Sequence, residues 1–157
     1  MNAHLPVWPF AILAVLIALG YRQSRDRVVR PGTLVKVAAA MLALSLYGVA
    51  AAFGAHLVPV LAWAAGFAAA VLLGDALFAP RGLAREGSAV RVPGSWLPLG
   101  LMLGIFTAKF ALGFATGVGS PVIGQAWFMA AASAVFGLLS GAFAARAVAV
   151  HRFVRTA

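Results

Sequence analysis

Cysteine is absent from this sequence, and acidic side chains nearly so: Asp and Glu together number 3 in 157 residues. Without cysteine there are no disulfides, no thiolate metal sites and no thiol catalysis, and the redox compartment leaves no mark. Charge of either sign is scarce, at 10% of residues. The common catalytic signatures are missing too. No HExxH, GxSxG or phosphate-binding loop occurs, and no pair of aspartates lies within an apolar run. An intramembrane hydrolase would therefore lack a visible nucleophile or base, and the sequence argues against an enzyme. It implies no cofactor. His4 and His56 have no third ligand near them in the pattern, which argues against a metal site.

What the chain has is apolar bulk. It is 64% hydrophobic, with mean hydropathy +1.01. A soluble domain of this length cannot hide so much apolar surface, whereas a bilayer can. The net charge of +9 does not point to nucleic acid, because the basic residues are confined to short segments between long apolar runs. The expected class is an all-α integral membrane protein, a single transmembrane domain over residues 1–157. Five helices are expected, over roughly 5–21, 34–53, 57–78, 96–116 and 122–145. The runs lack the alternation that a barrel would need.

Charge placement predicts orientation. Arg22, Arg25, Arg27, Arg30 and Lys36 flank the first connection. Arg81, Arg85 and Arg91 lie in the third, and Arg146, Arg152 and Arg155 follow the last helix. The second and fourth connections hold no Lys or Arg. Eleven of the twelve basic residues thus fall on one side, which the positive-inside rule makes cytoplasmic, with the N-terminus outside and the C-terminus inside. Residues 1–10 carry no Lys or Arg, so the first run reads as a retained helix rather than a signal peptide. The Ala-, Gly- and Arg-rich composition suggests a bacterial source, and hence the inner membrane.

Two segments look alike. "VVRPGTLVK" precedes the second helix and "AVRVPGSWL" the fourth. Each has a basic residue, then Pro-Gly, then Thr33 or Ser95 as an N-cap. The hairpins that follow carry Trp63 and Trp127. A parallel duplication of one helical hairpin, helices 2–3 and 4–5, competes with the plainer reading that any two hairpins need similar turns. Small residues recur at four-residue spacing: Ala62, Gly66, Ala70 and Gly74; Gly100, Gly104 and Ala108; Ser133, Gly137 and Gly141. They predict close helix packing, within the chain or with a second copy. Trp8, Trp96 and Trp127 read as interfacial anchors.

The twelfth basic residue, Lys109, stands alone inside "GIFTAKFALGFATG". Aligning the Pro-Gly turns sets Tyr47 opposite it, and both lie about 20 Å from the basic boundary at ~1.5 Å per residue. Lys109, Tyr47 and Thr116 are the candidates for a substrate or ion pathway, with Ser45 and Thr107 as further acceptors. The competing reading is a lysine that snorkels to the headgroups. Asp75 and Arg146 are a candidate ion pair clamping the third helix to the fifth. Arg22, Arg25, Arg27 and Arg30 are candidates for contact with anionic headgroups, or serve only to set topology.

The outward N-terminus, the "RQSRDRVVRPGTL" connection and the "LALSLYG" segment resemble those of small, uncharacterised multi-pass inner-membrane proteins of proteobacteria. The resemblance implies a membrane location and no activity. Two functions remain open: a small transporter or channel, or a non-catalytic membrane accessory or structural subunit. Partners are the lipid bilayer and either a second copy or another membrane protein, with no nucleic acid.

Overall fold

A computed structural model describes residues 7–156, apart from the side chains of Trp8 and Asp75; His4 lies outside these residues. In chain order the elements are α1 (Trp8–Gln23), β1 (Arg27–Val29), α2 (Pro31–Phe53), α3 (Leu57–Leu72), α4 (Gly74–Leu77), β2 (Ala84–Glu86), β3 (Ala89–Val92), α5 (Leu97–Gly117), a 3-10 turn (Pro121–Gly124) and α6 (Ala126–Thr156). The protein is predominantly helical. Helices α2, α5 and α6 are each long and apolar enough to cross a membrane, while α1 and α3 are shorter apolar helices.

Several boundaries differ from those expected. Helix α2 starts at Pro31, so Thr33 lies inside it and makes no cap. Proline has no N–H to lose and a backbone angle already suited to the first helical turn, which pulls the start earlier. Ser95 lies one residue before the N-cap of α5, which is Trp96; its hydroxyl still accepts the Leu97 N–H at 3.2 Å. The span expected over 57–78 breaks at Leu73, and the short α4 begins at Gly74. A methyl group on Gly74 would overlap the Ala145 side chain, so the break lets the chain pass against α6.

The last helix is the largest departure. It continues past Ala145 to Thr156, making the whole helix 31 residues long, which is about 45 Å at the helical rise and longer than a ~30 Å hydrocarbon core. Loss of apolarity marks where a membrane ends, not where a helix ends. Arginine is a good helix former, and Arg155 in the last turn suits the helix dipole.

Three strands were not expected at all. They form one antiparallel sheet in the order β1-β3-β2. Gly87, at φ 61°, opens the two-residue turn between β2 and β3, a position that favours glycine. Val90 and Val92 point inward from β3 and bury against Val150 of α6, while Arg91 points out and pairs with Glu86 at 2.9 Å. The extension of α6 is therefore the surface on which the sheet rests. Asp26 accepts the Gly94 N–H at 2.8 Å, and a methyl on Gly94 would overlap the Ser24 carbonyl oxygen. The two basic connections are thus laced together at one end of the bundle.

Helix α6 is also the spine of the bundle. Helices α2 and α3 pack on it, while α5 packs on α1 and on α6. Between α3 and α6 the backbones touch. Added methyl groups would overlap Ala134 O at Gly66, Trp63 O at Gly137, and Phe67 O at Gly141. The small residues of α5 do not act this way, since Gly100 faces open space and Gly104 meets only the Leu139 side chain, at 3.4 Å.

Candidate functional site

Fourteen residues into α2, Ser45 is buried against α6. Its hydroxyl donates to the Phe136 carbonyl at 3.1 Å and accepts the Trp63 indole N–H at 3.0 Å. Ser140 donates to the same carbonyl at 2.8 Å. One polar node therefore joins α2, α3 and α6 inside an apolar cluster of Val49, Phe53, Trp63 and Phe136. Burying these polar groups is tolerable because each has a partner. Ser133, one turn before Gly137, is the exception: its hydroxyl is buried and has no hydrogen-bond partner among the described residues.

Lys109 lies at the edge of this node. Its stem reaches from α5 across Gly48 of α2, and Nζ stands 5.3 Å from the centroid of the Phe136 ring. A methyl group on Gly48 would occupy the place of the ammonium, so glycine is what lets the lysine lie there. Lys109 is half-buried, and its ammonium meets no hydrogen-bond acceptor and no carboxylate among the described residues. The ring face offers partial compensation through its quadrupole.

The residues grouped with Lys109 by sequence lie elsewhere. Tyr47 is 72% exposed and points away from the node. Thr116 is exposed and returns its hydroxyl to its own helix, at Leu112 O, 2.8 Å. Ser45 is occupied by Trp63 and Phe136, and Thr107 is exposed. The proposed opposition of Tyr47 and Lys109 rested on aligning the two Pro-Gly turns, and those turns differ. Pro31 opens a helix directly, whereas Pro93 and Gly94 precede the α5 helix by a short bend. Trp63 and Trp127 differ likewise: one is buried and bonded to Ser45, the other 62% exposed at the start of α6. Phe136 and Gly48 escaped the sequence reading because a phenylalanine or glycine in an apolar helix carries no distinguishing mark.

The basic end gathers a second cluster. Arg146 donates from Nη1 to the Phe78 carbonyl at 3.1 Å, holding α6 to the end of α4. The side chain of its proposed partner Asp75 lies outside the described residues. Arg146, Arg81 and Ser95 line a cavity of about 290 Å³. Arg27 is half-buried, close enough to Arg146 for the two charges to repel, and desolvation holds its pKa below the ordinary value. Arg22, Arg25 and Arg30 are exposed, with Arg25 lying over the Tyr21 ring and donating to its hydroxyl at 3.0 Å. Among the described residues, no group of three His, Asp or Glu side chains comes together as a metal site would require.

No curated protein and no solved structure matches the chain. A family model matches it over residues 1–157, and the chain accordingly belongs to the family of unknown function DUF6622.

Proposed function

We propose that the chain is a bacterial multi-pass inner-membrane protein, with its basic end in the cytoplasm, that serves as a non-catalytic accessory or structural subunit. Its partner would be a membrane helix bearing an acidic or hydrogen-bond-accepting group. One observation carries this reading. The half-buried Lys109 has no acceptor in its own chain among the described residues, while Ser45, Trp63, Ser140 and Thr116 all have one. A charge at membrane depth is expensive and persists where something pairs with it. The direct backbone contact of α3 with α6 supports a packed bundle over a route between those helices.

The rival reading is a small transporter or channel, in which Lys109 serves a pathway. Two measurements divide them. Purified protein in sealed vesicles should show no solute or ion flux above empty vesicles. In native membranes, Lys109→Met should reduce the apparent mass of the assembly while the chain stays inserted. Flux that Lys109→Met abolishes would replace the accessory reading with the transporter.

A further inference from the structure

At the basic end, α2 and the C-terminal part of α6 line a groove of about 500 Å³. This is within the ~300–1,000 Å³ common for small-ligand sites. Its floor and walls are Ala38, Ala39 and Leu42 from α2 and Ala144 and Ala147 from α6. Alanines from both helices, flanked by Val35, Leu42 and Val148, line the apolar part of the depression. One end differs in character: His151, Arg152 and Arg155 close it, all exposed, with Arg155 one helical turn beyond the other two, three residues from Arg152 and four from His151.

An apolar slot that ends in cations is complementary to a molecule with a long apolar body and an anionic head. The length of α6 sets the position. The apolar part lies beside the spanning portion of α2, and the arginines lie in the last turns, where the helix has outrun the hydrocarbon core. Clustered Lys and Arg at that depth attract anionic headgroups. We propose that this groove is a binding site for one anionic phospholipid, with an acyl chain along Ala39 and Ala147 and the phosphate at Arg152 and Arg155. This site is separate from the arginines of the first connection, and it does not depend on the role assigned to Lys109.

The test is native mass spectrometry of the full chain in detergent, titrated with phosphatidylglycerol or with phosphatidylcholine of the same acyl chains. The wild type should hold one phosphatidylglycerol at least tenfold more tightly than phosphatidylcholine. Arg155→Gln, alone or with Arg152→Gln, should abolish that preference, and Arg155→Lys should restore it. Ala39→Trp fills the slot without touching the charges, and should expel the lipid while the melting temperature of the lipid-free protein stays near the wild-type value. Inorganic phosphate at millimolar concentration should not displace the lipid. Equal retention of the two lipids would overturn the proposal, as would a preference that survives loss of both arginines. Displacement by phosphate alone would reduce the site to an anion contact, and a dimer that excludes lipid would assign the groove to a second copy; either result also overturns it.

Discussion

The Trp63 indole N–H donates to the Ser45 hydroxyl at 3.0 Å, and that hydroxyl donates onward to the Phe136 carbonyl at 3.1 Å. Three helices meet through two hydrogen bonds, deep in an apolar cluster. Removing the serine leaves a buried donor without an acceptor, which costs more than the bond itself contributes. Ser45→Ala should therefore destabilise the bundle by about 1–3 kcal/mol. Adding Trp63→Phe removes the orphaned donor, so the double variant should lose less than the sum of the singles. A thermal-melting cycle in detergent checks this, and additive losses would mean that the two side chains do not act as a pair.

Glycine positions make a sharper contrast. Gly137 meets the Trp63 backbone carbonyl, which cannot move aside, whereas Gly100 meets nothing. Gly137→Ala should force α3 from α6 and cost on the order of 1–3 kcal/mol, as overpacking does. Gly100→Ala should be neutral or stabilising by up to ~1 kcal/mol, because alanine is the better helix former. Equal melting temperatures for the two variants would contradict the backbone contact between α3 and α6.

These contrasts mark what the sequence could tell. The spacing of Gly66, Gly137 and Gly141 was visible, and they are contact points. The equally regular Gly100 and Gly104 are not, because spacing says nothing about which face a neighbour covers. The sheet hides for a different reason. Val90, Arg91 and Val92 do alternate in the manner of a strand, but three residues of alternation next to a Pro-Gly turn read as loop. The two valines bury against the extension of α6, at Val150, Phe153 and Val154, together with Val29 and Leu34, and that extension is invisible to a reading that ends helices where charge begins. At the candidate site, Lys109 was legible as a lone charge. Its surroundings were not, because Gly48 and Phe136 come from two other helices and look like ordinary membrane residues.

The docking of the sheet has its own test. Val90 is 1% exposed and Val150 likewise, while Arg91 and Glu86 pair at the surface. Val90→Asp places an unpaired carboxylate between them, and the sheet should detach from α6. Trypsin should then cut after Arg81 or Arg85 much faster than in the wild type. Arg91→Ala removes only an exposed ion pair, with a median worth of about 0–1 kcal/mol, and should leave the cleavage rate nearly unchanged. Similar rates in the two variants would show that the valines do not hold the sheet.

The proposed orientation rests on the eleven basic residues that the sequence places in the connections of one side. A reporter fused after Ala157 should be active in the cytoplasm, and one inserted between Gly54 and His56 should be active outside. The insertion point lies in the short turn between α2 and α3, so it should be tolerated. The opposite pattern would invert the proposed topology and move the phospholipid groove to the other leaflet.

Lys109 offers the last prediction, and competing terms decide its sign. The contact with the Phe136 ring contributes ~0.5–2 kcal/mol. Keeping an ammonium at membrane depth costs about 2.5–3.5 kcal/mol or more. No acceptor among the described residues offsets that cost, so the cost should win in the isolated chain. Lys109→Met keeps an apolar stem across Gly48 and removes the charge, and it should melt at the same temperature as the wild type or higher. Lys109→Ala also removes the stem, opens space between α5 and α2, and should melt lower. Phe136→Leu should matter more in the wild type than in Lys109→Met, because only the wild type has a cation to lose its ring. A methionine variant that melts well below the wild type would show that the ammonium is held by acceptors within the chain. A partner's group would then no longer be needed to explain why a lysine stands there.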